Sequence, residues 1–281
     1  MTVVLTHNAY GKSSVRLTKV SRYPDRHELV QWTVDIQLEG EFADAYLAGK
    51  NGNVVATDTM KNIVYALARQ IELTSPETFG LTLGRHFLDY YPQISSCQAV
   101  IDAEPFQRIV VDGSPHPHAF TGGGSGRRTC TVSMLRSGQF VAAGIVGLSL
   151  LKTADSAFRG FQRDAFTTLP ETDDRILATL LDTTWKYKTP DGDWENLHAQ
   201  IRQKLLETFA GHKSLSVQQT LYAMGASVLE AFPDVEEVSL TMPNRHNLLV
   251  NLKPFGLDNP NCIFTPTSEP YGLITGTLRR A

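Results

Sequence analysis

A threonine and an aspartate stand where an apolar run ends and a helical pattern begins, at Thr57 and Asp58 after Val54-Val55-Ala56. Apolar residues then recur at the spacing of one helix face from Met60 to Leu67. A hydroxyl or carboxylate at this place predicts an N-cap for a helix beginning at Asp58. The free backbone N–H groups of a helix start also suit an anionic ligand, which is the alternative interpretation.

Four further polar side chains could do chemistry, but each has an ordinary explanation. Lys12 precedes the first strand-like run, and Arg175 opens an apolar one. Gln218 lies in the first turn of a helical pattern, and His246 lies between two strand-like runs. Taken singly, these side chains are typical of a solvated lysine, a surface ion pair, an exposed amide and a turn histidine.

Two other features of the sequence are candidate binding sites. His116 and His118 could share a metal ion, although the sequence offers no third ligand nearby. The glycine-rich stretch 121–126 lacks the residues that accompany phosphate-binding loops, so its composition predicts a flexible connector.

The elements that must position these residues have the same order in both halves of the chain. Each half shows strand-like runs, two helical patterns and further strand-like runs. In the first half these are 15–21, 28–38, helices from Asp58 and from Pro76 after Ser75, then 96–103 and 107–111. In the second half they are 129–135, 139–151, 176–187, helices from Trp194 to Phe209 and from Val217 to Val228, then 237–242 and 247–252.

We therefore expect an α+β fold made of two tandem modules, residues 1–121 and 127–281, joined by the connector 122–126. Each module should hold an antiparallel sheet with paired helices on one face. Such sheets leave edge strands that need covering, which favours an oligomer.

Composition excludes several classes of protein. The 281 residues are 42% hydrophobic and 20% charged with a net charge of −3, and no long basic run favours nucleic-acid binding. The longest apolar run, 141–151, is too short to span a bilayer, so no membrane partner is expected.

Compartment signals favour the cytoplasm. Residues 1–12 lack the pattern of a secretory signal, and the end of the chain at 278–281 is not a Ser-Lys-Leu peroxisomal signal. Cys97, Cys130 and Cys262 are odd in number and scattered, which indicates free thiols in a reducing compartment.

Seven blocks, in order, together resemble the urate oxidase (uricase) family over essentially the whole chain. They are NAYGKSSV at 8–15, VVATDTMKN at 54–62, FRGF at 158–161, DRILAT at 174–179, VQQTLY at 217–222, MPNRH at 242–246 and EPYG at 269–272. The resemblance implies two tandem tunnelling-fold (T-fold) modules, with a homotetramer closing the sheets into a barrel around a tunnel. Departures from the family pattern are mild: a connector rich in glycine, and Leu180-Leu181 where a polar residue is commoner.

The resemblance also implies a substrate site. Arg175 matches the guanidinium that holds the anionic edge of urate, and Gln218 the amide that reads the opposite edge. Phe158 matches the aromatic platform beneath the ring. The backbone N–H groups of Asp58 and Val217 would add two donors.

For the reaction, Lys12, Thr57 and His246 match the family's proton relay, and Asn244 matches the residue that holds dioxygen. A free lysine is a poor base at neutral pH, so Lys12 would need burial or a cationic neighbour. The family uses no metal or flavin cofactor and converts urate, dioxygen and water to 5-hydroxyisourate and hydrogen peroxide. Lysine and threonine come from one subunit, and the other side chains from its neighbour.

Two alternative functions remain at this stage. One is a T-fold purine- or pterin-binding protein in which the ring is bound but not oxidised. The other is a metal-dependent pterin-type enzyme that uses His116 and His118.

Overall fold

The computed structural model describes residues 2–280 and divides into two compact units. The first unit is Met1–Gly144 with Lys186–Leu197, and the second is Ile145–Trp185 with His198–Ala281. Met1 and Ala281 lie outside the described residues, and with them the final residue considered for the peroxisomal signal. The modules predicted at 1–121 and 127–281 stay a prediction.

The first unit contains the elements β1 Tyr10–Arg22, β2 His27–Gly40, α1 Ala43–Ala48, α2 Thr57–Gln70, α3 Pro76–Tyr90, β3 Ile94–Ala103, β4 Phe106–Val111, β5 Ser114–Gly122 and β6 Arg127–Leu135. Strands β1, β2, β3 and β6 are hydrogen-bonded in that order, each pair antiparallel. Strands β4 and β5 form a separate hairpin. The strand-like runs predicted at 15–21 and 28–38 thus form the antiparallel pair β1 and β2, with strands longer than the sequence pattern indicated.

Three elements have residues in both units, namely β7 Gly138–Lys152, β8 Leu177–Tyr187 and α4 Trp194–Gly211. The second unit continues with α5 Val217–Ala231, β9 Val235–Arg245, β10 Asn247–Leu249, a 3₁₀ turn at Lys253–Phe255, β11 Phe264–Pro266 and β12 Gly272–Arg279. In this unit β8, β9 and β12 are neighbours in that order, and β9 and β12 are antiparallel.

Helix α3 shows how the sequence places a helix on the sheet. The Ser75 hydroxyl accepts the first-turn N–H of Thr78, and Pro76 occupies the first helical position, as predicted. Phe79 and Phe87 are fully buried, and α3 packs across β3 and β6. Tyr90, the last residue of the helix, is 73% exposed.

Helices α3 and α5 approach their sheets at matching glycines. A Cβ built on Gly84 of α3 would lie 2.7 Å from Cβ of Met134 in β6, and one on Gly225 of α5 would lie 2.8 Å from Leu278 in β12. Both helices have 15 residues and a serine N-cap, and each glycine is the ninth residue. The two helices therefore pack by the same device.

Further pairs of side chains repeat between the two units. Arg136 binds the last carbonyls of α3, including that of Leu88, and Arg280 binds those at the end of α5, including that of Leu229. Lys19 bonds the carbonyl of Ile71 after α2, and Lys152 bonds the carbonyl of His212 after α4. The structure thus shows the repeat in individual side chains as well as in the order of elements.

The helix that carries Thr57 and Asp58 corrects one prediction. Helix α2 begins at Thr57 rather than Asp58, and Ala56 is its N-cap with no side-chain hydrogen bond. The predicted cap by Thr57 or Asp58 is wrong, because both residues already lie within the first helical turn. Residues Met60 and Val64 are fully buried, as the apolar spacing predicts.

The connector between the halves is shorter than its composition suggested. Strand β5 extends to Gly122 and β6 begins at Arg127, so only residues 123–126 lie outside strands. Among residues 2–280, no helix is long and apolar enough to cross a membrane.

Candidate functional site

A pocket in the second unit collects four of the predicted site residues. It has a volume of about 670 Å³, and Phe158, Arg175, Asn244 and His246 all contribute to its wall. They come from separate parts of the chain: the segment after β7, the residues just before β8, and the end of β9. The fold, not proximity in sequence, brings them together.

The Arg175 guanidinium lies over the Phe158 ring, with 5.3 Å from its central carbon to the ring centroid. Burial lowers the pKa of Arg175, but a guanidinium stays charged at neutral pH. Its buried Nε has no hydrogen-bond partner within residues 2–280. A buried donor without a partner costs free energy, so the pocket suits a ligand with an acceptor at this place.

The segment that carries Phe158 is held by its own pairing. Phe158 and Thr172 exchange backbone hydrogen bonds of 2.9 and 3.1 Å. Next to Phe158, the exposed Arg159 forms ion pairs with Glu171 and Asp173. The loop from Phe158 to Asp173 therefore closes on itself, which orients the ring toward the pocket.

Asn244 and His246 are set by the end of a strand. Asn244 pairs with Gly272 of β12. His246 follows β9, and its backbone carbonyl accepts hydrogen bonds from the N–H and hydroxyl of Thr267. Both side chains are partly buried, so a ligand in the pocket could reach them.

Val217 and Gln218 occupy the first two positions of α5 after the Ser216 N-cap. Val217 is buried, whereas the Gln218 side chain is exposed. Gln218 borders a groove of about 620 Å³ between α5 and β12 instead of the pocket around Arg175. The structure thus places Gln218 in the same unit as that pocket but outside its wall.

Lys12 lies in β1 of the first unit beside a β-bulge. The β1–β2 register shifts between Lys12 and Val15, and Ser14 adopts a left-handed φ of 58°. The Asp35 carboxylate accepts the Ser14 N–H at 2.5 Å. Just before Lys12, a Cβ on Gly11 would lie 1.8 Å from the Ile36 carbonyl oxygen, so only glycine fits there.

Thr57 and Asp58 are tied to the same strand through Tyr10. The Tyr10 hydroxyl accepts the Val55 N–H at 2.7 Å and donates to the Val55 carbonyl at 3.1 Å. The exposed Asp58 carboxylate accepts hydrogen bonds from Lys61 and Asn62, and the bond from Lys61 lowers its pKa, with a smaller contribution from the charge of Lys12.

The backbone N–H of Asp58 is one of the first-turn donors that have no carbonyl partner inside the helix. Such a donor can serve an anionic ligand. Lys12, Thr57 and Asp58 belong to the first unit, and the other predicted residues belong to the second.

Several residues of the pocket wall were missed from the sequence. Leu169, Cys262 and Phe264 border the same pocket as Arg175. They lie in irregular segments or a three-residue strand, where hydrophobic periodicity gives no signal. Only the positions of nearby recognised blocks could have drawn attention to them.

The two histidines considered for a metal lie in β5, with ring centroids 4.5 Å apart. Within the described part of the chain, no group of three or more His, Cys, Asp or Glu is arranged to hold a metal ion. Nothing in that geometry adds support to the metal-dependent alternative.

Chemically, the second unit presents a cationic fork, an aromatic face, an amide and an imidazole around one pocket. This set suits a flat, anionic heterocycle: the fork pairs with acceptors at the ring edge and the aromatic ring covers a face. The first unit adds a lysine, a hydroxyl and helix-start N–H groups, which are suited to moving protons and holding negative charge.

Comparison with known proteins gives one consistent family. A family model described as uricase matches residues 8–133 and 141–275. A uricase from Arthrobacter globiformis is 45% identical over 278 residues, covering 99% of this chain and 90% of that protein. A uricase from Dictyostelium discoideum is 36% identical over 280 residues, covering 99% and 98%.

Solved structures agree with these matches. The crystal structure of the Arthrobacter globiformis uricase superposes with a TM-score of 0.95 at 44% identity, covering 100% of this chain and 96% of that one. A urate oxidase structure from Bacillus sp. TB-90 superposes with a TM-score of 0.82 at 26% identity, covering 97% and 100%.

Proposed function

The chain belongs to the uricase family and is a urate oxidase with the T-fold, and we propose that its two units supply different parts of the reaction. The second unit supplies the side chains that bind the urate ring and dioxygen, and His246 of the proton relay. The first unit supplies Lys12 and Thr57 of the relay and the backbone N–H of Asp58. The similarity to uricases over nearly the whole chain is the observation that supports this activity. The pocket around Arg175 and Phe158 supports the division of labour.

In the proposed binding step, Phe158 lies beneath the flat ring and Arg175 pairs with its anionic edge. The buried Nε of Arg175 has no partner within residues 2–280, and urate would provide one. Gln218 reads the opposite edge with its donor and acceptor together. The backbone N–H groups of Val217 and Asp58, both at helix starts, contribute further donors.

In the proposed chemical step, Lys12 and Thr57 carry protons between urate and water, and His246 completes the relay. Asn244 holds dioxygen, and later water, above the ring. Urate, dioxygen and water then give 5-hydroxyisourate and hydrogen peroxide, so two electrons pass from urate to dioxygen and one oxygen atom of water enters the ring. We propose that this requires neither metal nor flavin.

We also propose that the active enzyme is a homotetramer with composite sites. Lys12, Thr57 and Asp58 of one subunit would face Arg175 and Gln218 of its neighbour. The tetramer would close the sheets into a barrel around a tunnel, which covers the edge strands β1 and β12.

A reducing compartment such as the cytoplasm fits the thiols. Cys97, Cys130 and Cys262 are free, and burial raises the pKa of Cys97 to about 12. Buried thiols of this kind remain protonated and react slowly.

The test is to mix the purified protein with urate in air and follow the ultraviolet absorption of urate, dioxygen uptake and hydrogen peroxide formation together. We expect equimolar loss of urate and dioxygen with equimolar peroxide. Unchanged urate absorption with retained urate binding would favour the purine-binding alternative. Loss of activity after dialysis against a strong chelator would overturn the metal-free proposal.

A further inference from the structure

Two buried hydroxyls lie just before and within the first turn of α5. Ser214 and Thr220 are both fully buried. The Thr220 hydroxyl has two acceptors within reach, Ser214 Oγ at 2.8 Å and the Ser216 carbonyl at 3.2 Å, and the Ser214 hydroxyl donates to the Ser216 carbonyl at 3.1 Å. The two side chains therefore form a short hydrogen-bonded chain that ends on the backbone of the N-cap residue.

The same serine is joined to the segment that leads into Phe158. Its carbonyl accepts the Ala157 N–H at 2.7 Å, and its N–H donates to the Asp155 carbonyl at 2.9 Å. Phe158 directly follows Ala157. Ser214 thus fixes the backbone that presents the aromatic platform of the substrate pocket.

On the helix side, the chain of hydroxyls reaches the residues around Gln218. Ser216 Oγ accepts the Gln219 N–H at 3.1 Å, and Gln219 Oε1 accepts the Leu215 N–H at 2.9 Å. Gln218 lies between these bonded residues. Its position relative to Phe158 therefore depends on the bonds that Ser214 and Thr220 make.

The first helix pair shows that such hydroxyls are not needed to build this element. Helices α3 and α5 both have 15 residues after a serine N-cap. Counted from those caps, Ser214 and Thr220 correspond to Leu73 and Phe79, which are 8% and 0% exposed. Apolar packing thus does the same structural task in the first half, without the desolvation cost of buried hydroxyls.

We propose that Ser214 and Thr220 are positioning residues that couple the Phe158 platform to Gln218, so that one face and one edge of the urate ring are contacted in fixed register. This inference rests on the proposed roles of Phe158 and Gln218. It predicts that the contribution of Gln218 to urate binding requires the Thr220 hydroxyl.

The experiment is an anaerobic titration with urate, in which the ring binds without being oxidised, for Thr220→Val, Gln218→Ala and the double variant. Losing one buried hydrogen bond should weaken urate binding about three- to tenfold in Thr220→Val. In the Gln218→Ala background, the same replacement should change binding by less than about twofold. Thr220→Ser, which keeps the hydroxyl, should bind as the unaltered chain does.

The matched control breaks a chemically similar bond elsewhere. Thr208 of α4 donates to Ser227 of α5 at 2.8 Å, and Ser227 lies seven residues, about 10 Å at 1.5 Å per residue, beyond Thr220. Thr208→Val should leave urate binding unchanged, which separates positioning from a general effect on the helix. Should Thr220→Val fail to fold, Ser214→Ala removes the receiving hydroxyl and gives the same coupling test.

The outcomes separate the two proposals. Weaker binding in Gln218→Ala, together with independent, multiplicative effects of Thr220→Val, overturns the positioning inference alone. Unchanged urate binding in Gln218→Ala overturns the proposed role of Gln218 and the inference with it.

Discussion

At the residue scale, we propose that Lys12 transfers protons, while the side chains proposed to bind the ring lie in the other unit. Lys12→Met keeps the length of the side chain but removes its capacity to carry a proton. We expect the anaerobic urate dissociation constant to change little and turnover to fall about 10²- to 10⁴-fold. Stopped-flow oxidation and anaerobic titration measure the two quantities separately.

The control for this variant is Lys50→Met, which removes an exposed lysine of the same unit. It should oxidise urate at the original rate. Turnover of Lys12→Met within a factor of two of this control would remove Lys12 from the relay.

We propose that Arg175 binds the anionic edge of urate. Its guanidinium lies over Phe158, and its buried Nε has no hydrogen-bond partner among residues 2–280. Arg175→Lys keeps the positive charge but loses the planar fork. We expect urate binding to weaken about 10- to 100-fold, because paired hydrogen bonds to the ring edge are lost. Arg163→Lys, on the exposed arginine that stacks on Phe161 in the same loop, should bind urate normally. Equal affinities of the two variants would contradict the clamp.

At the element scale, the sequence predicted what periodicity and capping control. Ser75-Pro76 marks the start of α3, and the hydrophobic spacing of α2 identifies its buried face. Helix α1 was missed because it has six residues and no buried ones, so burial imposes no spacing on it. Strand β5 was missed because Pro115 and Pro117 within it are unfavourable in strands, although it pairs with β4 as a separate hairpin.

The site was predicted less evenly, for a related reason. Arg175, Asn244 and His246 were predicted because they lie in the sequence blocks that resemble the urate oxidase family, and the structure brings them to one pocket. Spacing along the chain cannot show that Leu169 joins them, because a loop residue is brought to a pocket by tertiary packing alone. The hydroxyls of Ser214 and Thr220 were also invisible, since their role depends on what they contact.

One element-scale prediction concerns the buried ion pair at the start of α3. Glu77 is fully buried, and the Arg128 guanidinium donates to its Oε2 at 2.7 Å. Burial raises the pKa of Glu77 despite this cation. Arg128→Met would leave a buried carboxylate without its cation, so the free energy of unfolding should fall by about 3–5 kcal/mol at pH 8.

The loss should shrink as the pH falls. Without Arg128 the pKa of Glu77 in the folded chain rises further, so the folded state binds a proton that the unfolded state releases. Stability therefore increases as the pH is lowered from above the folded-state pKa toward the ordinary value of 4.5. Denaturant unfolding at pH 8 and pH 5.5 measures the difference. The control is Arg127→Met, because the partner of Arg127, Asp102, is partly exposed. This variant should lower the free energy of unfolding by about 1 kcal/mol or less at both pH values. An equal loss of unfolding free energy for Arg128→Met at pH 8 and pH 5.5 would disprove the role of Glu77.

At the scale of the whole molecule, the internal repeat explains why the proposed site is divided. Helices α3 and α5 both have a serine N-cap and a glycine at the ninth position, where the helix approaches its sheet. They differ at the second helical position, where α3 has Glu77 and α5 has Gln218. Glu77 is buried and held by Arg128, whereas Gln218 is exposed and available to a ligand. One half thus buries the side chain at this position, while the other leaves it exposed. Under the proposed roles, the second half contributes Gln218 to urate binding, and the first half contributes the Asp58 N–H.

If those groups come from different subunits, two inactive chains should restore activity together. Lys12→Met retains Arg175, and Arg175→Ala retains Lys12. In tetramers formed from equal amounts of the two variants, a composite site is intact only when the Arg175→Ala chain supplies its Lys12 and the Lys12→Met chain supplies its Arg175. Random assembly then makes about one quarter of the sites complete. Co-expression with two different affinity tags, followed by tandem purification and urate oxidation, measures the recovery.

Each variant carried through the same purification alone sets the background. A double variant, Lys12→Met with Arg175→Ala, co-expressed with the unaltered chain provides the matched mixture: it also leaves about one quarter of the sites intact under composite assembly, but one half if each chain holds its own site. Recovery near one quarter in both mixtures therefore requires that Lys12 of one chain works with Arg175 of another. No recovery from the two single variants, with one half from the second mixture, would place both residues in a site within one chain.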